Sequence, residues 1–356
     1  MSKPLLFDQD FSTLESVLER WGEPSYRALQ IWQGFYQNLW VRPEQFSPLP
    51  SKLRDELADH YQFASLNPSL SLTSKDGETT KTLFTLPDGN AIEAVLMRYE
   101  KRRTLCISTQ AGCAMGCVFC ATGQMGFRRN LTSGEILEQV LFYARMLKEQ
   151  DEAVTNVVIM GMGEPLHNYD ATMQAIDRLN HPQGFNFGAR RFTVSTVGLV
   201  PAIRRFADDQ RQVNLAISLH AADDALRNSL LPINRKYPLG ELMQACQEYF
   251  AKTHRRLTFE WALIQGVNDH QDQARKLADL LQGFRREGAS ACHVNVIQLN
   301  PTRKYAGQAT SRSQALAFQS ELESRGIPCT IRLRRGLDIQ AGCGQLATQV
   351  NDNLQI

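Results

Sequence analysis

The chain has 356 residues, 43% of them apolar, enough to bury a sizeable core as one large domain with an appendage and too many for a lone β-sandwich. A net charge of +2 neither requires nor excludes a polyanionic partner, so local clustering has to decide that. No run approaches the ~18 apolar residues of a membrane span. The opening residues, MSKPLLFDQDFST, lack the basic and apolar regions of a secretory leader, and a soluble, cytoplasmic protein with no membrane partner is expected.

The first ~65 residues read as helical. Ser12 and Glu15 are placed as a capping box, with Leu14, Val17 and Leu18 on one face before Gly22 and Pro24 end the helix. In YRALQIWQGFY, Tyr26, Leu29, Trp32 and Phe35 form a stripe expected to pack into a core. A third helix is expected in SKLRDELADHY. From Ser69 the period changes to two, and turns at Lys75-Asp76-Gly77 and Pro87-Asp88-Gly89-Asn90 divide SLSLTS, TTKTLFTL and AIEAVLMR into an antiparallel meander.

A regular alternation follows. TLCIS, VTNVVIM, RFTVSTVG, NLAISLH, RLTFEWALI and ACHVNVIQL are strand-like. Helical patterns lie between them, including SGEILEQVLFYARMLKEQ with a Thr132 and Glu135 capping box, LGELMQACQEYFAKT and DHQDQARKLADLLQG. SRSQALAFQSELESRG and PCTIRLR close the series as a further helix and strand. Six to seven such units imply an α/β fold with a parallel sheet, barrel or doubly wound, whose chemistry gathers beyond the carboxyl ends of the strands.

That location, just after TLCIS, holds CAMGCVFC, residues 113–120, with cysteines at CxxxCxxC spacing. Eight cysteines in a chain this long, three of them within eight residues, suit reduced thiols or metal binding better than a secreted disulfide framework. Structural zinc takes four ligands; there is no second CxxC and no histidine inside the motif, so zinc would have to recruit Cys343 or His220 from far away. Three thiolates fit an iron–sulfur cubane with one iron left open for an exchangeable partner.

CxxxCxxC with an aromatic, Phe119, before the last cysteine resembles the signature of radical S-adenosylmethionine (SAM) enzymes. CISTQAGCAMGCVFCATGQMGFRRNLT, VIMGMGEPLHN, STVGLVP, ISLHAADD, LPINRKYP, LNPT and RGLDIQAGCGQL resemble, in order, blocks of the RlmN and Cfr RNA adenine methyltransferases. YRALQIWQGFY resembles their accessory domain. The resemblance implies a partial (β/α)6 TIM-like radical SAM barrel over residues 98–336, an accessory domain over 1–97, and a C-terminal segment, 337–356, carrying Cys343.

It also implies a site. Cys113, Cys117 and Cys120 would hold one 4Fe-4S cluster, and Gly163, Glu164, Ser195, Ser218, Leu219, His220 and Asn300 would line SAM. Cys343 would take a methyl group from one SAM, a second SAM would supply the radical, Cys106 would resolve the covalent link to RNA through a transient disulfide, and Glu93 would accept the proton. The implied substrate is carbon 2 of an adenine in the peptidyl transferase centre of 23S rRNA, with the adenine next to the anticodon in tRNAs. A flavodoxin or ferredoxin would donate electrons. Cfr-type methylation at carbon 8 is the alternative, and Pro165 after Glu164 favours the RlmN type. From another class, the alternative is a zinc-stabilised, non-catalytic RNA-binding protein.

The residues alone say less. Gly342 and Gly344 around Cys343 suit a mobile backbone. Cys106 and Glu93 read as ordinary strand residues, and Cys246, Cys292 and Cys329 as packing. Arg98, Lys101, Arg102, Arg103, Arg128 and Arg129 near the cysteine loop, and Arg332, Arg334 and Arg335 near Cys343, could line one mouth and contact phosphates.

Overall fold

The computed structural model describes residues 3–348. Three helices come first: α1 (Phe11–Arg20), α2 (Tyr26–Tyr36) and α3 (Ser51–His60). Asp10, not Ser12, caps α1, its carboxylate accepting the Thr13 N–H at 2.7 Å while Ser12 donates its own hydroxyl to Asp10. A carboxylate is the better acceptor at the positive end of a helix. In α2 the buried face is Ala28, Ile31, Trp32 and Phe35, and Tyr26, expected in the stripe, is 53% exposed. A strict three-residue step drifts around a helix of 3.6 residues per turn, so one end of such a stripe must leave the core.

The strands follow as β1 (Asn67–Thr73), β2 (Thr79–Thr85), β3 (Ala91–Arg98), β4 (Arg103–Cys106) and β5 (Gln110–Gly112). Next come α4 (Ala121–Met125), β6 (Phe127–Asn130), α5 (Ser133–Lys148), β7 (Asn156–Ile159), α6 (Tyr169–Asn180) and β8 (Phe192–Thr196). The chain continues through α7 (Val200–Asp208), β9 (Asn214–Ser218), α8 (Asp224–Leu230), α9 (Leu239–Thr253), β10 (Leu257–Leu263) and α10 (Gln271–Leu281). It ends with β11 (Arg285–Arg286), β12 (Ala289–Ser290), β13 (Cys292–Gln298), α11 (Arg312–Ser324) and β14 (Cys329–Ile331). The Thr132 and Glu135 capping box at α5 is formed.

One ten-stranded sheet runs β1-β2-β3-β4-β7-β8-β9-β10-β13-β14. From β4 onward every neighbouring pair is parallel and the strands follow chain order. The order never reverses, which excludes a doubly wound sheet with its switch-point crevice and leaves an open barrel with a ligand site at its mouth. The meander β1–β3 continues this sheet without a break, because β3 pairs antiparallel with β4 from Val95↔Cys106 to Arg98↔Arg103. That pairing sets Cys106, at the carboxyl end of β4, opposite Val95, two residues after Glu93.

The leading helices are tied to the barrel's outer layer. Phe11 and Trp32 meet edge to face, and Trp32 meets His181 beyond α6. Arg178 of α6 donates to the carbonyls of Phe7 and Asp8, and the Asp8 carboxylate accepts the Gly134 N–H in the first turn of α5. The exposed amides at that helix start carry partial positive charge, which a carboxylate offsets. No helix of the described residues is long and apolar enough to cross a membrane.

Candidate active site

The cysteine loop is held shut by backbone. Gly112 adopts φ +74°, and a Cβ there would stand 1.9 Å from the Gly126 carbonyl, so only glycine lets the two chain segments meet. Cys113 donates its N–H to that same carbonyl, and Cys120 closes a turn on the Cys117 carbonyl. Backbone amides reach two of the sulfurs: Met115 donates toward Cys113, and Thr122 and Gly123 toward Cys120. Burial pushes all three thiols up, Cys113 to about 12; Cys120 raises Cys113 and Cys117 further, Cys113 adds to Cys117, and Cys343 adds to Cys120. Such a trio ionises only against a cationic centre.

Cys113, Cys117 and Cys120 line one cavity of about 1010 Å³ together with Gly163, Glu164, Ser195, Ser218, His220, Asn300 and Cys343. Among the described residues no three His, Cys, Asp or Glu side chains are grouped to hold a metal ion. A cubane puts each thiolate on a different iron, so its ligands stand further apart than those of one ion.

The other wall is built from strand ends. After β7 the chain turns through Gly163, at φ +104°, where a Cβ would press on Gln110. The Glu164 carboxylate accepts N–H bonds from Val197 at 2.9 Å and Leu166 at 3.1 Å, and burial raises its carboxyl to about 7 against those bonds. Ser195 and Ser218, from β8 and β9, lie hydroxyl to hydroxyl at 3.2 Å. His220 accepts the Ala262 N–H at Nδ1 and meets Phe119 edge-on; burial lowers it to about 3, so the ring is neutral. Asn300 donates to the Cys343 carbonyl at 3.0 Å, and its Oδ1 is buried with no partner. Leu219 differs from its neighbours in sequence: its side chain is fully buried in the core and does not line the cavity.

Cys343, exposed, sits in a tight turn closed by the Gln345 N–H on the Gly342 carbonyl. Gly344 accepts the Ala121 N–H at 2.7 Å, which fastens this turn to the cysteine loop. A second cavity, about 650 Å³, adjoins the first and shares Cys120, Asn300, Arg332 and Cys343 with it; Cys106 lies on its wall. Burial pushes the Cys106 thiol up to about 12, with Cys343 adding to the rise and Arg332 opposing it. Arg332 is itself raised, chiefly by Cys343, and pairs with Glu260, which Asn295 also holds. All eight cysteines are free thiols. Cys246, Cys292 and Cys329 are buried in the main core.

Glu93 lines neither cavity. Its carboxylate pairs with Lys81 at 2.8 Å and accepts the N–H groups of Ala347 at 2.8 Å and Thr348 at 3.4 Å. Arg332, expected near Cys343, does line both cavities, whereas Lys81, Glu260 and Asn295 are residues around the site that motif reading missed. The available signal was charge or polarity inside strands whose other residues are buried. Several of the arginines expected to contact phosphates are already paired: Arg98 and Arg103 with Glu152, Arg129 with Asp88 and Glu135, and Arg335 with Glu78. Arg102 and Arg335 flank the Tyr99 ring at the mouth of the second cavity.

Comparison with known proteins agrees with this geometry. Residues 107–278 match the radical SAM superfamily. The chain is 49% identical over 98% of its length to a probable dual-specificity RNA methyltransferase RlmN of Chloroflexus aurantiacus, covering 93% of that protein. It is 48% identical over 97% of its length to a dual-specificity RNA methyltransferase RlmN of Myxococcus xanthus, covering 94% of that protein. The crystal structure of a radical SAM methyltransferase from Sphaerobacter thermophilus superposes with a TM-score of 0.94 at 49% identity, over 97% of this chain and all of the other. Identity of this order over nearly the whole length, on a radical SAM barrel with three cysteines at its mouth, means that the chain belongs to the RlmN family of radical SAM RNA methyltransferases.

Proposed function

We propose that this enzyme methylates carbon 2 of an adenine in the peptidyl transferase centre of 23S rRNA and of the adenine next to the anticodon in tRNAs. The dual specificity in the names of the Chloroflexus and Myxococcus relatives supports two RNA classes. The observation that carries the mechanism is the position of Cys343 on the wall common to both cavities, with the three loop cysteines on one side and Cys106 on the other.

The residues fit the group that the family implies. Three thiols with N–H donors on two of their sulfurs suit a 4Fe-4S cluster, and the partnerless Asn300 Oδ1 and the Glu164 carboxylate suit the ammonium of SAM. Held by Cys113, Cys117 and Cys120, the cluster with SAM supplies the electron and the radical needed at an electron-poor carbon between two ring nitrogens. Gly163 allows backbone to approach the ligand, Ser195 and Ser218 offer hydroxyls, and neutral His220 adds no charge.

Cys343 takes the methyl group: its thiolate forms the new S–C bond and the sulfonium departs as a thioether. The guanidinium of Arg332 lies beside it on the wall of both cavities. Joining the methyl carbon to carbon 2 requires that the methyl lose one hydrogen atom, to the radical from a second SAM, and the adduct one electron, back to the cluster; Glu93 takes the proton leaving carbon 2. Cys106 then attacks the Cys343 sulfur, the S–S bond forming as the S–C bond breaks, and the released carbon keeps the electron pair and is protonated to the methyl product. The disulfide is reduced before the next turnover, and a flavodoxin or ferredoxin serves the enzyme as electron donor. Glu93 acts only after Ala347 and Thr348 give up its carboxylate. On this reading residues 1–97 are the accessory domain, 98–336 the catalytic core and 337–356 the carrier of Cys343; 349–356 lie outside the described residues.

The test is to incubate unmodified 23S rRNA and tRNA with the anaerobic enzyme, SAM and reductant, and to locate methyladenosine by mass spectrometry. Methyl at carbon 2 in both RNAs is expected. Methyl at carbon 8 would replace the regiochemistry, and no methylation would overturn the reading.

A further inference from the structure

At the opposite end of the barrel from the cysteines, the amino ends of β8, β9 and β10 surround a cavity of about 1050 Å³. Its wall carries Arg190, Arg255 and Arg256 with the hydroxyl residues Thr193 and Thr258, and no Asp or Glu. Arginines of the neighbouring α7 and the loop after it have carboxylate partners: Arg204 with Glu248, Arg205 with Asp170, Arg211 with Asp177. Among the described residues, none of the three cavity arginines forms an ion pair.

Neutral amides hold two of them instead. Arg255 donates to Gln212 Oε1 at 3.0 Å and Asn214 Oδ1 at 2.8 Å, and Arg190 shares Gln212 at 3.3 Å. Asn214 is itself oriented, its amide N–H groups going to the carbonyls of Arg190 and Phe192, which turns its oxygen toward Arg255. His254, left-handed at φ +53°, ends α9 and leads straight into the Arg255-Arg256 pair. Amide oxygens fix a guanidinium in place without cancelling its charge, so the cavity keeps a preorganised positive field with N–H donors in fork geometry.

We infer that this cavity is a binding site for a phosphate-class oxyanion, separate from the catalytic mouth and independent of the function proposed above. β10 runs seven residues between the two ends, so they stand roughly 20 Å apart. The phosphate comes either from the backbone of a bound RNA that reaches round the barrel or from a free phosphorylated small molecule.

Pyrophosphate is the probe. Its binding to the anaerobically purified full-length enzyme is measured by calorimetry, for the wild type and for Arg190→Gln/Arg256→Gln, two exposed positions whose loss leaves the Arg255 amide clamp in place. Saturable binding by the wild type and a weakening of about tenfold or more in the variant are expected. Binding that fails to saturate, or that is equal in both proteins, overturns the site. A second arm measures tRNA binding against salt concentration. Where RNA backbone is the source, pyrophosphate competes with tRNA and the salt slope of the variant falls by about two. Where the source is a small molecule, pyrophosphate binding is lost in the variant and tRNA binding stays unchanged. Equal thermal melting of the two proteins separates lost binding from lost folding.

Discussion

Lys81 Nζ lies 2.8 Å from Glu93 Oε1, both side chains almost wholly buried, and together they grip the segment carrying Cys343 from two sides. Lys81 also donates to the Gln340 carbonyl, before Cys343, and Glu93 accepts from Ala347 and Thr348, after it. Lys81→Met should therefore cost roughly 3–5 kcal/mol, because it strands a buried carboxylate. Lys81→Met/Glu93→Gln should cost less than the two single changes added together. Urea unfolding checks both, and peptide-resolved hydrogen exchange over 340–348 should speed up in Lys81→Met. Single variants as stable as wild type would count against the clamp.

Replacing Cys113, Cys117 or Cys120 by alanine should abolish the brown colour and the roughly four irons per chain expected of a cubane. Cys343→Ala should keep both, since the cysteine is a carrier and not a ligand on this reading. Metal analysis of anaerobically purified protein decides it. One zinc per chain and no colour would return the three thiols to a structural role.

Cys106→Ala should leave the RNA joined to Cys343 and accumulate a covalent adduct that survives denaturing electrophoresis. Cys343→Ala should form none. Both follow from Cys106 and Cys343 lying on one cavity. Equal turnover by the two variants would reject the two-cysteine scheme.

Glu138 on α5 binds the N–H and hydroxyl of Ser65, joining the barrel to the loop after α3. Burial outweighs these bonds and raises its carboxyl from 4.5 to about 6. The folded chain thus favours the protonated form: stability from this group is full below pH 4.5 and lost as pH rises through 6. The loss at neutral pH is on the order of 2 kcal/mol. Glu138→Gln should flatten the dependence of the urea midpoint over this interval, and an unaltered slope would argue that another group is responsible.

Much of this protein was readable along the chain. Alternating strand and helix patterns carried the α/β class, the Thr132 box marked the start of α5, and CAMGCVFC after TLCIS located the site, because period, capping and loop spacing are local properties. The cap of α1 and the face of α2 were misread for a related reason: Ser12 competes with Asp10 for one helix end, and a three-residue stripe cannot stay on one face. What only the tertiary structure decided is strand order and what it juxtaposes. Pairing of β2 with β3 sets Glu93 beside Lys81, the residues after Cys343, more than 250 positions away, come to the same carboxylate, and Arg332 after the last barrel strand comes beside Cys106 of the first. Such partners share no local period, and each is an unremarkable charged residue within its own strand. Their buried charges acquire meaning only when folding removes the water and leaves them one another as counter-charge.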